Sequence, residues 1–158
     1  MAEPSDRQRT ISESLACEIA GLSPQKRRQW VDRGMLDQPA RDARLTELQV
    51  IELAVLRELH DVLRSRDAPI IWGELRESIR GQLLQRTLDV VVDTGYREVS
   101  VATSEAQLAV LVRTARTIRV VSLTPLIQRS RAAFRRLTAG ERREPPEQAR
   151  GNAGEASV

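Results

Sequence analysis

The sequence has few of the side chains that metal, redox and aromatic chemistry require. Its 158 residues include one cysteine and one histidine, and 3% of them are aromatic. A single cysteine, Cys17, excludes an internal disulfide framework and a cysteine-rich zinc site. Few aromatic rings leave few stacking platforms for single-stranded nucleic acid or for flat ligands. We therefore expect neither a bound metal nor a cofactor.

Long apolar runs and catalytic motifs are missing as well. No stretch approaches the ~18 to 20 apolar residues of a membrane span, and the segment MAEPSDRQR lacks the apolar core of a signal peptide. The chain has no glycine-rich phosphate loop, no Gly-x-Ser-x-Gly elbow and no spaced Cys and His ligands. We expect a cytoplasmic protein that makes no membrane contact and is not an enzyme.

What the sequence has in quantity is arginine. The 25 basic side chains include a single lysine, Lys26. Arginine suits bidentate contacts to phosphate and guanine, and a GC-rich genome would produce the same bias, so both interpretations stay open.

The arginines are also unevenly distributed along the chain. Residues 45–105 carry eleven acidic and seven basic side chains, whereas residues 106–140 carry seven basic and no acidic ones. These seven are Arg113, Arg116, Arg119, Arg129, Arg131, Arg135 and Arg136. They either cover an ordinary surface and pair with the acidic segment, or they form a positive surface that contacts the backbone of DNA, in addition to the contact predicted below for residues 23–44.

The stretch from Leu15 to Leu36 predicts two short helices joined by a tight turn. The first helix has a small apolar face, which consists of Leu15, Ala16, Ile19 and Ala20. Gly21 can end this helix in the left-handed conformation, and Ser23 followed by Pro24 fits an N-cap and a first helical residue. This arrangement is a helix-turn-helix.

The second helix, from Pro24 to about Arg33, should bury Trp30 and Val31 and expose a polar, cationic face. The candidate DNA-binding residues here are Ser23, Gln25, Lys26, Arg28, Gln29 and Arg33. We expect Gln25 and Arg28 at base edges, because long amides and guanidinium groups read the major groove. Lys26, Gln29 and Arg33 are assigned to bases or backbone.

The segment ACEIAGLSPQKRRQWVDRGML resembles the N-terminal winged helix-turn-helix of the MerR family of bacterial regulators, and the resemblance continues through Arg44-Leu45-Thr46, over about residues 10–80. It implies a recognition helix in the major groove, with Arg41 and Arg44 at phosphates beside the minor groove. The sequence departs from the family at two points. Arg27 replaces a usually aliphatic residue, and residues 37–43 are shorter than the usual wing.

The rest of the chain predicts an α+β protein with two domains and a tail. The winged helix-turn-helix would occupy residues 10–86, a small ββαβα module residues 87–138, and a disordered tail residues 139–158, while residues 1–9 should be disordered too. Capping-box patterns begin at Thr10 and Thr46. The expected later elements are helices to about Leu63, from about Gly73 to Gln85, and from Ser104 and Pro125, and strands Leu88–Asp93, Arg97–Ala102 and Thr117–Leu123.

These features favour a sequence-specific regulator of transcription that binds double-stranded DNA, which we expect to be a nucleoid-associated repressor and a homodimer. Two other functions fit the same residues. One is an excisionase-like factor that bends DNA during recombination. The other is an antitoxin-type protein that binds a partner protein through residues 87–138.

Overall fold

The computed structural model of the chain describes residues 9–60, 68–82, 88–93, 98–114 and 118–140, and these residues form a mixed helix and sheet structure, as the α+β prediction requires. The elements follow in the order β1 (Thr10–Ser12), α1 (Glu13–Ala20), α2 (Pro24–Asp32), β2 (Arg44–Thr46), α3 (Glu47–His60), α4 (Ala68–Arg80), β3 (Asp89–Asp93), β4 (Glu98–Ala102), α5 (Glu105–Thr114), β5 (Ile118–Ser122) and α6 (Thr124–Gly140). None of the described helices combines the length and apolar character needed to cross a bilayer.

The first sheet joins the two ends of the segment that contains α1 and α2. Strand β1 pairs antiparallel with β2, and Ile11 lies opposite Leu45. Both side chains are fully buried and pack with Ala16 and Val50. The capping box predicted at Thr10 is therefore wrong. Thr10 belongs to the strand, and Ser12 caps α1 instead by accepting a hydrogen bond from the Leu15 N–H.

Helix α3 contributes more residues to the central core than any other described element. Eight of its fourteen residues are buried, and its apolar side chains contact the α2 and α4 sides of the molecule. The capping box predicted at its start is confirmed, since the Thr46 N–H donates to Gln49 Oε1 at 2.9 Å and the Gln49 N–H donates to Thr46 Oγ1 at 3.3 Å. Its predicted continuation to Leu63 lies outside the described residues, which stop at His60.

Helix α4 anchors the chain that leaves α2. The buried Trp72 indole Nε1–H donates to the Met35 carbonyl oxygen at 2.6 Å. Arg80, near the other end of α4, donates to the buried carboxylate of Glu52 on α3 at 2.5 Å. The helix begins at Ala68, earlier than the predicted Gly73, because Pro69 is tolerated in a first helical turn.

The second sheet is three-stranded and antiparallel, in the order β4-β3-β5. In the central strand, Val91 lies opposite Ser100 on one side and Val120 on the other. Val90 and Val92 point from one face into the core that α3 and α4 share. Helix α5 contacts the β3 and β4 part of the sheet, and none of its residues is fully buried.

Helix α6 returns from the second sheet to the beginning of the chain. It packs along α3 and also contacts α1 and β1. Phe134 is 3% exposed and joins the cluster formed by Ile11, Ala16, Ala43, Leu45 and Val50. The predicted tail begins too early at residue 139, since Ala139 and Gly140 still belong to α6, and residues 141–158 lie outside the described ranges. Of the predicted disordered N-terminus, residues 1–8 lie outside them too.

Candidate nucleic-acid interface

The turn between α1 and α2 forms as the residues predict. Gly21 takes the left-handed conformation, with φ of 73°, and its N–H donates to the Glu18 carbonyl oxygen at 3.2 Å. The Ser23 hydroxyl then accepts a hydrogen bond from the Lys26 N–H at 3.2 Å, and Pro24 begins α2. The turn therefore fixes how α2 leaves α1.

The inner side of α2 is held by Trp30, which is 1% exposed. Its ring lies 5.4 Å from the His60 ring, measured between centroids, and the ammonium of Lys26 lies 5.9 Å from the Trp30 centroid on the outer side. The indole N–H is buried and has no hydrogen-bond partner among the described residues. Val31 is partly buried beside Trp30, so both residues face the core as predicted.

The outer side of α2 is polar and exposed over two helical turns. The exposed residues are Gln25, Arg28, Gln29 and Asp32, together with Arg33, which caps the C-terminal end. Their spacing of three and four residues puts them on one face of the helix. Of the residues predicted for DNA contact, Ser23, Gln25, Arg28, Gln29 and Arg33 are exposed, whereas Lys26 is half-buried against Trp30. The acidic Asp32 on this face was absent from the predicted set.

Arg28 is engaged by an acidic side chain of α1. Its Nη2 lies 2.7 Å from Glu13 Oε2 and its Nε lies 3.1 Å from Glu13 Oε1, while 47% of the arginine side chain stays exposed. The hydrogen bond from Arg28 is the main reason that the pKa of Glu13 is lowered, and the same bond raises the pKa of Arg28. The charge of Asp42 makes a smaller contribution to the raised pKa of Arg28.

Arg27 was not predicted as a site residue, and it is the most connected side chain of α2. It is fully buried and donates to Glu13 Oε1 at 3.0 Å, to Gln38 Oε1 at 3.2 Å, and to the carbonyl oxygens of Pro39 and Ala40 at 2.6 and 3.3 Å. The signal in the sequence is its spacing from Trp30. Arg27 stands three residues before Trp30, and residues three apart share one side of a helix, so Arg27 lies on the buried side with the indole.

Arg41 and Arg44 lie on different parts of the structure. Arg41 is exposed in the loop before β2 and has no ion-pair partner among the described residues. Arg44 belongs to β2, and its guanidinium donates to the Thr10 hydroxyl and carbonyl oxygens, each at 2.9 Å. The segment that the resemblance assigns to a wing contains no strand before Arg44.

The seven arginines of residues 106–140 are spread over several elements. Arg113 lies on α5 and Arg119 on β5, both exposed, and Arg116 lies outside the described residues. On α6, Arg131 and Arg135 approach Glu47 Oε1 at 3.0 and 3.4 Å. The remaining two, Arg129 and Arg136, are exposed on the side of α6 opposite its buried face. Among the six arginines of this set that the structure describes, Arg131 and Arg135 pair with the acidic segment through Glu47.

Neither a scan against models of known protein families nor a search among curated proteins finds a match for this chain. The resemblance to MerR regulators therefore stays a prediction that depends on the residues quoted for it. Within the described residues, no group of three or more His, Cys, Asp and Glu side chains is placed to hold a metal ion.

Proposed function

We propose that the chain is a regulator of transcription that binds a specific sequence of double-stranded DNA, with α2 as the recognition helix in the major groove. One observation carries the proposal. Gln25, Arg28, Gln29 and Arg33 lie exposed along one face of a capped helix whose opposite face is buried. Amide and guanidinium groups are the side chains that read base edges in this groove. We assign the protein the role of a repressor.

Gln25 and Gln29 are the side chains best placed to discriminate between bases. Both are exposed, and neither side chain is hydrogen-bonded within the described part of the chain. A glutamine amide can donate to N7 and accept from N6 of adenine in the major groove once its two ends are aligned. Since the two residues are one helical turn apart, they would meet neighbouring base pairs.

Arg28 would read guanine only after it exchanges Glu13 for the base. Arg27 donates to the same Glu13 oxygen, so the carboxylate keeps one cationic partner when Arg28 turns toward DNA. The exchange replaces one charge-assisted pair by another. Arg28 is therefore a base contact whose release is coupled to DNA binding.

The phosphate contacts would come from cations around the helix. These are Lys26, Arg33, Arg41 and Arg44, which lie on α2, at its C-terminal end, in the loop before β2 and on β2. Arg129 and Arg136, the two outward arginines of α6, are the proposed second contact to the backbone.

Selection from a random duplex pool with the purified full chain tests the proposal. We expect enrichment of one motif, and we expect Gln25→Ala and Gln29→Ala each to relax the preference at one base pair by about 1 to 3 kcal/mol. The matched control is Gln128→Ala, because Gln128 is an exposed glutamine on α6. Fluorescence anisotropy against the selected and the mixed-sequence duplexes measures both effects.

Two results contradict the proposal. One is a pool that shows no enrichment at moderate salt, where specific complexes persist. The other is a selected duplex that the two glutamine variants bind with wild-type preference, which would show that α2 does not read bases in the major groove.

A further inference from the structure

The loop of residues 37–42, called the 37–42 loop below, has no regular structure of its own. It contains no helix or strand, and no backbone-to-backbone hydrogen bond joins it to another described residue. Asp42, at its end, has a φ of 48°, in the left-handed region that non-glycine residues rarely adopt. Side chains must therefore hold this loop in its conformation.

Arg27 is the side chain that does so. Its Nη2 donates to two consecutive loop carbonyl oxygens, those of Pro39 and Ala40, and its Nη1 donates to the side chain of Gln38. The Gln38 amide in turn donates to the Gln49 carbonyl oxygen of α3 at 3.3 Å. A single buried guanidinium thus ties the loop to α2, and through Gln38 to α3.

We propose that Arg27 is a positioning residue, which holds the 37–42 loop against the recognition helix and so fixes where Arg41 lies relative to the base-reading face. The part that concerns Arg41 rests on the proposed function, whereas the part that concerns the loop does not. A guanidinium is required because its fork of five N–H donors can satisfy several acceptors at once, while lysine offers one nitrogen and methionine offers none.

The loop part is tested by ¹⁵N relaxation of the full chain with Arg27→Met, a substitution that keeps the length of the side chain. Glu13 keeps Arg28 as a partner in this variant, so its charge is not left unpaired. We expect the order parameters of the amides in the 37–42 loop to fall from about 0.85 to below about 0.6, while those of α3 stay unchanged. Arg27→Lys should loosen the loop to a similar degree, and it replaces Arg27→Met if that variant does not fold.

The control is Arg131→Met, which removes another inter-helix arginine–glutamate pair of similar length, the pair with Glu47. It should leave the order parameters of the loop unchanged. Unchanged order parameters in both Arg27 variants overturn the proposal. Order parameters that fall equally in the loop and in α3 also overturn it, because Arg27 would then stabilise the fold as a whole.

The DNA part is tested by a double-mutant cycle between Arg27→Met and Arg41→Ala, measured by anisotropy with the selected duplex. Arg27→Met also removes the cation that stays with Glu13 when Arg28 turns toward DNA, so its loss of affinity includes an effect on Arg28. If Arg27 acts through Arg41, Arg41→Ala has little further effect in the Arg27→Met background, and the double variant binds within about twofold of Arg27→Met alone. Effects that multiply overturn the link to Arg41. If the wild-type protein binds no duplex, the proposed function fails, and the order parameters still decide whether Arg27 positions the loop.

Discussion

Helices α2 and α5 have nearly the same length, nine and ten residues, and they differ sharply in how firmly each is held. Helix α2 is mostly polar, yet two of its own side chains, Arg27 and Trp30, are buried on its inner side. Helix α5 has six apolar residues among its ten, and none of its residues is buried. Val110 on α5 is 60% exposed.

The difference teaches that the number of apolar residues in a helix does not decide how rigidly it is placed. One indole in the core and one guanidinium with four acceptors fix α2 on the side away from solvent. Such a helix presents its outer side chains in a defined geometry, as the proposed contact with DNA requires. Helix α5 covers part of one sheet face and leaves apolar surface open.

The largest expected effect is on stability, and it comes from truncating a buried rather than an exposed apolar side chain in the C-terminal half of the sequence. Phe134→Ala should destabilise the protein by about 3 to 5 kcal/mol, because Phe134 fills the cluster around Ile11 and Leu45 and its removal leaves a cavity. Val110→Ala on α5 should change stability by less than about 0.5 kcal/mol. Urea denaturation of both full-length variants measures the difference.

A Phe134→Ala variant as stable as the wild type would contradict the packing of α6 on the beginning of the chain. Near-equal losses of stability in both variants would contradict the view that α5 is loosely held, since Val110 would then have to be buried in solution.

Local signals made much of the fold predictable. Gly21, Ser23 and Pro24 mark the α1–α2 turn through backbone conformation and capping, and the structure has it there. The alternating valines of β3 and β4, and the β-formers of β5, likewise predicted the three strands to within one residue at each end. These features depend on residues that are neighbours in the chain.

Features that depend on distant partners could not be predicted in this way. Strand β1 has three residues, and its partner strand begins 34 residues later, so Thr10 matched a capping pattern equally well. Arg28 fits a base contact and an ion pair with the same chemistry, and only the fold brings Glu13 to it. The return of α6 to β1 depends on Phe134 meeting residues more than 80 positions away.

The second prediction concerns the charge that joins α1 to α2. Glu13→Gln should lower the free energy of unfolding by about 2 kcal/mol at neutral pH, because Glu13 is a nearly buried carboxylate that accepts hydrogen bonds from two arginines. The pKa of Glu13 lies below its ordinary value of 4.5 in the folded protein. Its contribution is therefore complete above pH 4.5 and is lost as the pH falls toward the folded pKa.

The check is urea denaturation of wild type and Glu13→Gln at about pH 7 and about pH 3, where the gap between them should shrink. Glu18→Gln is the control, because Glu18 is an exposed glutamate on the same helix. A gap that stays constant with pH would show that the loss comes from packing rather than from the charge.

The smallest expected effect compares equivalent caps on the two helices. Ser23 and Ser104 each accept a hydrogen bond at 3.2 Å from the N–H three residues later. Ser23→Ala should cost about 1 kcal/mol of global stability, because α2 unfolds together with the core that holds Trp30. Helix α5 has no buried residue to tie it to that core, so Ser104→Ala should leave the global value within about 0.3 kcal/mol and instead speed amide hydrogen exchange within α5 alone. Equal global losses from the two substitutions would mean that α5 unfolds cooperatively with α2, which the lack of any buried residue in α5 argues against.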